Sequence, residues 1–346
     1  MGLGPPVIEL YRQLKLQGAF EGIAEVMELG SQDFWCPQKN LMLSLFKAFG
    51  REAPPELLAT TNTSQKPARL LYEALGLKYG CLDVDGRVGS VVLDLNFDSI
   101  PDSEKAKYGF VTNHGTSEHI VNQLNVFRTM HDLARPGGLL IHAVPFTVHL
   151  EHGFFNYQPN FFEALARYNS YEMLGIWVGP DWQLASLVPW DPMLLEYLAL
   201  SAKTTHLLVV AQRKMYDKDF CVPFQEVYED MVPDEVRGRY AMIVDGEVMD
   251  AKRVKHLTTE SILAKHYLSE IQGLKNWIES YKGQVKTLTY ELERAKYRLD
   301  RLQYGQNVGA PVASLEEVTA RELAAELKYR VRRRFARWLR TPAGPK

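Results

Sequence analysis

The sequence of 346 residues has only three cysteines, Cys36, Cys81 and Cys221, and they are far apart. That excludes a disulfide-framed module and a cysteine-based structural zinc site. No run of 18 apolar residues occurs, so no segment reads as a membrane span. The opening residues, MGLGPPVIELYRQLK, lack a basic stretch followed by an apolar one, so no secretory signal is expected. Neither sign of charge is in excess. A formal net charge of -2 argues against whole-chain attraction to a polyanion, and nucleic acid is not the expected partner. Together these absences predict a reducing, cytoplasmic setting.

What is present is an alternation of short apolar runs with helical patterns over roughly residues 1–215. Ala24–Leu29, Tyr79–Val84, Ser90–Leu95, Tyr108–Thr112, Gly138–Ala143 and His206–Ala211 each read as a buried strand. Pro67–Leu77 and Ser117–Ala134 read as helices. In the second, Ile120, Leu124, Phe127, Met130 and Leu133 recur at steps of three and four. Gly137–Gly138 reads as a helix end leading into a strand. Alternating strands and helices predict a doubly wound α/β fold around a mostly parallel sheet, with ligands at the carboxyl ends of the strands. Residues 34–66 read as an inserted helical element. Residues 146–200, rich in aromatics such as Phe154, Tyr157, Phe161 and Trp177, read as an insertion covering the ligand side. Residues 216–257 read as a connecting segment.

Beyond that the pattern changes. Ile271, Leu274, Ile278, Tyr281, Val285, Leu288, Leu292, Ala295, Leu299 and Leu302 form a heptad stripe, which predicts a coiled coil over 263–304 and a homo-oligomer, in first place a parallel dimer. A single amphipathic helix lying on the domain is the alternative. A capping box of Ser314 and Glu317 opens a last helix, 314–340, where Leu323, Leu327, Val331, Phe335 and Leu339 share a face flanked by arginines. Such a helix suits peripheral contact with an anionic inner membrane surface. Docking on an acidic face of the same protein and nucleic-acid contact are its alternatives.

The candidate chemistry lies at the strand ends. The first strand runs into Glu28-Leu29-Gly30-Ser31-Gln32, an acid followed by a glycine turn. This is not the G-x-G-x-x-G of dinucleotide enzymes. The second strand ends in Asp83-Val84-Asp85-Gly86, where a carboxylate can accept hydrogen bonds from a ribose diol. Asp83 is the first choice and Asp85 the second, although Asp-Gly is also a plain turn signal. The third ends in Val92-Leu93-Asp94-Leu95-Asn96. The fourth continues through Asn113 and His114 to Glu118-His119, and Arg135-Pro136-Gly137-Gly138 enters the fifth.

Taken in order, these segments resemble the motifs of the class I S-adenosylmethionine-dependent methyltransferases over about residues 20–215. The resemblance implies a Rossmann-like methyltransferase fold with S-adenosylmethionine as cofactor. It implies cofactor contacts from Glu28, Gly30, Ser31, Gln32, Asp83, Asp94, Leu95 and Asn113. Gln32 departs from the family's E/D-x-G-x-G pattern, in which a second glycine stands there. An oxygen acceptor needs a base, and the candidates are His119, His142 and Glu118. His119 reads equally as a packing residue at a helix start. A metal site is not expected, since His149-Leu150-Glu151-His152 with His142 fits no ligand spacing. The expected activity is O-methylation of a hydroxylated small molecule or glycan. A natural-product or nucleic-acid methyltransferase is a second reading, and a non-catalytic scaffold organised by its coiled coil is a third. A coiled coil followed by a membrane-surface helix is also an arrangement similar to that of bacterial surface-polysaccharide modifying enzymes.

Overall fold

A computed structural model describes residues 2–250, except 59, 62, 180–184, 193–204 and 226–231. All of these lie within Met1–Ile278, the first of the chain's two units. The heptad stripe over 263–304 and the basic segment 314–340 lie outside the described residues.

Helix α1 (Pro5–Leu16) opens with two prolines, whose missing N–H groups cost nothing in a first turn. Strand β1 (Glu25–Leu29) follows, then β2 (Asp33–Phe34), α2 (Lys39–Ala48), β3 (Lys66–Pro67), α3 (Ala68–Ala74), β4 (Lys78–Asp83) and β5 (Ser90–Val92). After them come β6 (Tyr108–His114), α4 (Gln123–Leu133), β7 (Ala134–Thr147), α5 (Pro159–Asn169), β8 (Tyr171–Gly179), β9 (Val188–Pro189) and β10 (His206–Lys214). A helical turn, α6 (Asp234–Arg237), and a hairpin of β11 (Ala241–Val244) with β12 (Glu247–Asp250) end the described part.

Among the described residues, eight strands form one sheet in the order β5-β4-β1-β6-β7-β10-β8-β9. From β5 to β7 all pairings are parallel. β10 then runs antiparallel to both of its neighbours. The strand order reverses direction between β1 and β6, the switch point of a doubly wound sheet.

Both faces are covered, which is why the strands read as continuous apolar runs rather than alternating ones. Val26, Phe110, Ile141, Val209 and Ala211 pack with α1, α2 and α3. Met27, Leu29, Val111, Leu140, Val144, Leu208 and Val210 pack with α4 and α5. Neighbouring residues of one strand therefore enter different layers, as the period of two requires.

Several segments can be set against their expected elements. The segment 34–66 contains α2 and is closed at its base by the β2–β3 pair. The segment 146–200, by contrast, is not simply a cover. It contains α5 and β8, and β8 is hydrogen-bonded along β10 inside the main sheet. Its mixed burial, with Leu174, Gly175, Ile176 and Trp177 only partly buried, blurred the strand signal. The expected helix over 117–134 is a 3-10 turn, Ser117–His119, followed by α4, whose N-cap Asn122 accepts from the Asn125 N–H. The connecting segment 216–257 includes α6 and the β11–β12 hairpin. There Asp245 and Gly246 supply the two positive-φ positions of a tight turn.

Candidate functional site

The loops after β1, β4, β6 and β7 emerge at one edge of the sheet because those strands are parallel. At its centre Gly30 takes φ 74°. A Cβ there would meet the Thr116 hydroxyl and would stand 2.7 Å from Gln32 Nε2. Glycine is thus required at the turn for both conformation and space. The Gln32 amide donates to Thr116 Oγ1 at 2.8 Å, and Thr116 Oγ1 donates to the Leu29 carbonyl at 2.6 Å. Gln32 therefore bridges the two loops that flank the switch point.

Ser31 joins the first loop to the second. Its N–H and hydroxyl donate to Asp83 Oδ2 at 2.6 and 2.9 Å, while Val84 and Asp85 N–H groups donate to Asp83 Oδ1. A carboxylate offers about four acceptor positions, and Ser31, Val84 and Asp85 occupy them. Burial pushes the Asp83 pKa up, and these hydrogen bonds more than offset it, so the group sits below its ordinary value and is ionised. Ser31 Oγ also donates to Asp85, and Arg87 pairs with Asp85 and Asp33 around the rim.

Asp94 turns the chain after β5, its carboxylate accepting from the Asn96 N–H at 2.9 Å. Asn96 in turn accepts from the Val121 and Asn122 N–H groups, which ties this loop to the start of α4. Leu95 is buried in the α4-side core.

Glu28 lies elsewhere than the motif implies. It shares a face with Val26, looks into the α1–α3 layer and is fully buried. Oε2 accepts from the Gln32 N–H at 3.1 Å and from Tyr79 at 2.9 Å, and Oε1 accepts from Tyr72 at 3.3 Å. Tyr72 is hydrogen-bonded to Tyr11, and Tyr11 to His114 Nε2 at 2.5 Å. Burial raises the Glu28 pKa to about 8 and lowers that of His114 to about 3. Glu28 thus braces the glycine loop from behind. Tyr11, Tyr72 and Tyr79 went unread in the sequence because each stands alone in an ordinary apolar pattern.

Two further expected residues are also interior. Asn113, fully buried in β6, donates to Ser117 Oγ at 2.8 Å and accepts from the Ser117 N–H, pinning the 3-10 turn. His142 does not follow the fifth strand. It sits within β7, 2% exposed, its ring 4.7 Å from that of Phe162. Burial lowers its pKa to about 3, so it is neutral and unsuited to accept a proton near pH 7. These are corrections to the expectation that both face a ligand.

Glu118 and His119 do lie at the edge, and the loop after β7 brings His152 to them. Glu118 Oε1 is 3.5 Å from His152 Nε2 and 3.9 Å from His119 Nε2. Glu118 is fully buried, and burial raises its pKa to about 7. Its carbonyl accepts from the Phe154 N–H at 2.7 Å, which fastens one loop on the other. The grouping joins residues more than thirty positions apart, beyond the reach of any local spacing rule.

Solved methyltransferase structures are among those the chain resembles. A putative sarcosine dimethylglycine methyltransferase from Galdieria sulphuraria matches at 12% identity and TM-score 0.31, over 60% of this chain and 85% of that one. A SAM-dependent methyltransferase from Archaeoglobus fulgidus matches at 9% and 0.32, over 59% and 93%. The [4+2]-cyclase SpnF matches at 9% and 0.31, over 60% and 80%. No family model matches the chain, and no curated protein does. With these TM-scores far below 0.5, the functional reading rests on the chain's own residues.

Proposed function

We propose that the chain is an S-adenosylmethionine-dependent methyltransferase acting on the oxygen of a hydroxylated small molecule or glycan. The observation that carries this reading is the convergence of three segments, read separately in the sequence, on one sheet edge beside the switch point. They are the Gly30 turn after β1, the ionised Asp83 after β4, and Glu118 with His119 after β6. The donor set fits the cofactor. Asp83 would receive a ribose hydroxyl at the position that the Ser31 hydroxyl leaves when it rotates away, and its ionised state suits a charge-assisted hydrogen bond. The loop Gly30–Gln32 would hold the methionine end, and Asp94 the adenine amino group. When bound, the cofactor supplies a methyl already activated as a sulfonium.

The chain's own task is to position the acceptor and take its proton. Glu118 is the group suited to this, because a carboxyl with a pKa of about 7 can both accept and release a proton near neutral pH. His152 and His119 beside it would carry the proton outward. The test is thermal unfolding of the full chain with S-adenosylmethionine and with its demethylated product. A ligand bound to the native state must raise the midpoint, and no shift with either would refute the reading.

A non-catalytic scaffold is the second reading. The Gln32–Thr116 bridge favours it, since it fills the position where the family's second glycine leaves room. Under either reading, dimerisation through 263–304 and membrane contact through 314–340 are proposed from the sequence pattern.

A further inference from the structure

We propose that Glu118, His119 and His152 form a binding site for one divalent transition-metal ion of the zinc type. One ligand atom from each lies within 4.8 Å of the others. Tetrahedral zinc with bonds of roughly 2.0–2.2 Å separates its ligands by about 3.3–3.6 Å. The Glu118–His152 distance of 3.5 Å already has that value, and the Glu118–His119 distance of 3.9 Å is close to it. His119 is 45% exposed and can complete the approach by side-chain rotation.

The burial pattern points the same way. Glu118 is fully buried, yet neither carboxylate oxygen has a hydrogen-bond partner, and His152 Nε2 is buried beside it without one. The other acids that the strand ends offered are satisfied: Asp83 by Ser31, Val84 and Asp85, Asp94 by Asn96, and the interior Glu28 by Gln32 and two tyrosines. Leaving a buried carboxylate without a hydrogen-bond partner is costly. A cation bound between the oxygen and the two imidazoles would remove that cost.

Hydrogen bonds tie the frame around the group. The 3-10 turn carrying Glu118 and His119 is pinned by Asn113, and the Phe154 N–H holds the Glu118 carbonyl. Gly153 lets the second loop come close, since a Cβ there would lie 2.8 Å from Glu118 Cγ. Two imidazoles and a carboxylate leave positions open on the ion, as in catalytic rather than structural zinc sites. With the ion bound, Glu118 and the two histidines would serve as ligands rather than carry the proton themselves, and such an open position could hold an acceptor hydroxyl and lower its pKa instead. That last role rests on the proposed methyl transfer, whereas the ion site itself does not.

The experiment uses the full chain stripped of metal by chelation. Zinc is titrated calorimetrically, and cobalt(II) is added while visible absorption is followed. The expected result is one ion per chain, cobalt bands of low-coordinate character and a zinc-dependent rise in the unfolding midpoint. Glu118→Gln and His152→Ala should each weaken zinc binding by more than about tenfold, while His149→Ala, at the neighbouring histidine, should not. Folding of each variant is checked by circular dichroism. Failure of the wild-type chain to bind zinc or cobalt overturns the proposal, and so does undiminished zinc affinity in a folded Glu118→Gln protein. The thermal shift with S-adenosylmethionine is measured on the same metal-free sample. Loss of the ion site and loss of the methyltransferase reading are therefore scored separately.

Discussion

Replacing Glu28 with glutamine should stabilise the protein, and increasingly so as the pH rises. The Glu28 carboxyl has a pKa of about 8 in the fold, against an ordinary value of 4.5. Between those values the folded chain holds one proton that the unfolded chain has released. Stability attributable to this group therefore falls as pH rises, by about 1.4 kcal/mol per pH unit. The accumulated penalty is on the order of 3 kcal/mol at pH 7 and less than about 1 kcal/mol at pH 5. A glutamine cannot ionise and escapes it.

The amide also fits the hydrogen bonds. Its oxygen can accept from the Gln32 N–H and the Tyr79 hydroxyl, and its NH2 can donate to Tyr72. Tyr72 then donates to Tyr11, and Tyr11 to His114 Nε2. At roughly 2–4 °C per kcal/mol for a domain of this size, the Glu28→Gln midpoint should exceed the wild-type value by about 6–12 °C at pH 7. The difference should nearly close at pH 5. Scanning calorimetry of both proteins at the two pH values measures it. An equal difference at both, or a glutamine variant less stable at pH 7, would show that the carboxyl is not held protonated.

Three further outcomes are expected. Asp83→Ala should weaken S-adenosylmethionine binding by about 1.5–3 kcal/mol, the value of lost charge-assisted hydrogen bonds; calorimetry showing wild-type affinity in the folded variant would exclude Asp83 as the ribose acid. A chain ending near Leu257 should be monomeric by light scattering and the full chain dimeric, since β-branched residues occupy three of the five a positions of the heptads, Ile271, Ile278 and Val285; a monomer in both refutes the coiled coil. The full chain should float with anionic liposomes at low salt, a chain ending near Gly309 should not, and Leu288→Pro should weaken flotation by separating the paired helices; equal sedimentation of the full and shortened chains would remove the membrane reading.

Much of the architecture was legible locally. The apolar runs that became β1, β6, β7 and β10 are mostly buried and covered on both faces, so their hydrophobicity alone marked them. The glycine at position 30 and the acid at 83 followed from turn chemistry and from their place at strand ends. Weak patterns misled. Ser90–Leu95 yielded a strand only over Ser90–Val92, at the sheet edge, where Val92 is 68% exposed. β8 was missed among half-buried residues.

Which way a strand-end residue points could not be read from the chain in one dimension. A shift of one position moves a side chain to the opposite face. Glu28 follows Val26 into the α1–α3 layer, while Asn113 and His142 follow Val111 and Leu140 into the α4–α5 layer. The sequence by itself determined the alternation of elements and the order of the acidic turns, because both depend on residues within a few positions of each other. Only the tertiary structure decided that Glu28 is a buried brace and that His142 is a core residue. It alone brought His152 to Glu118, because that meeting depends on the loops after β6 and β7 leaving adjacent parallel strands at the same edge.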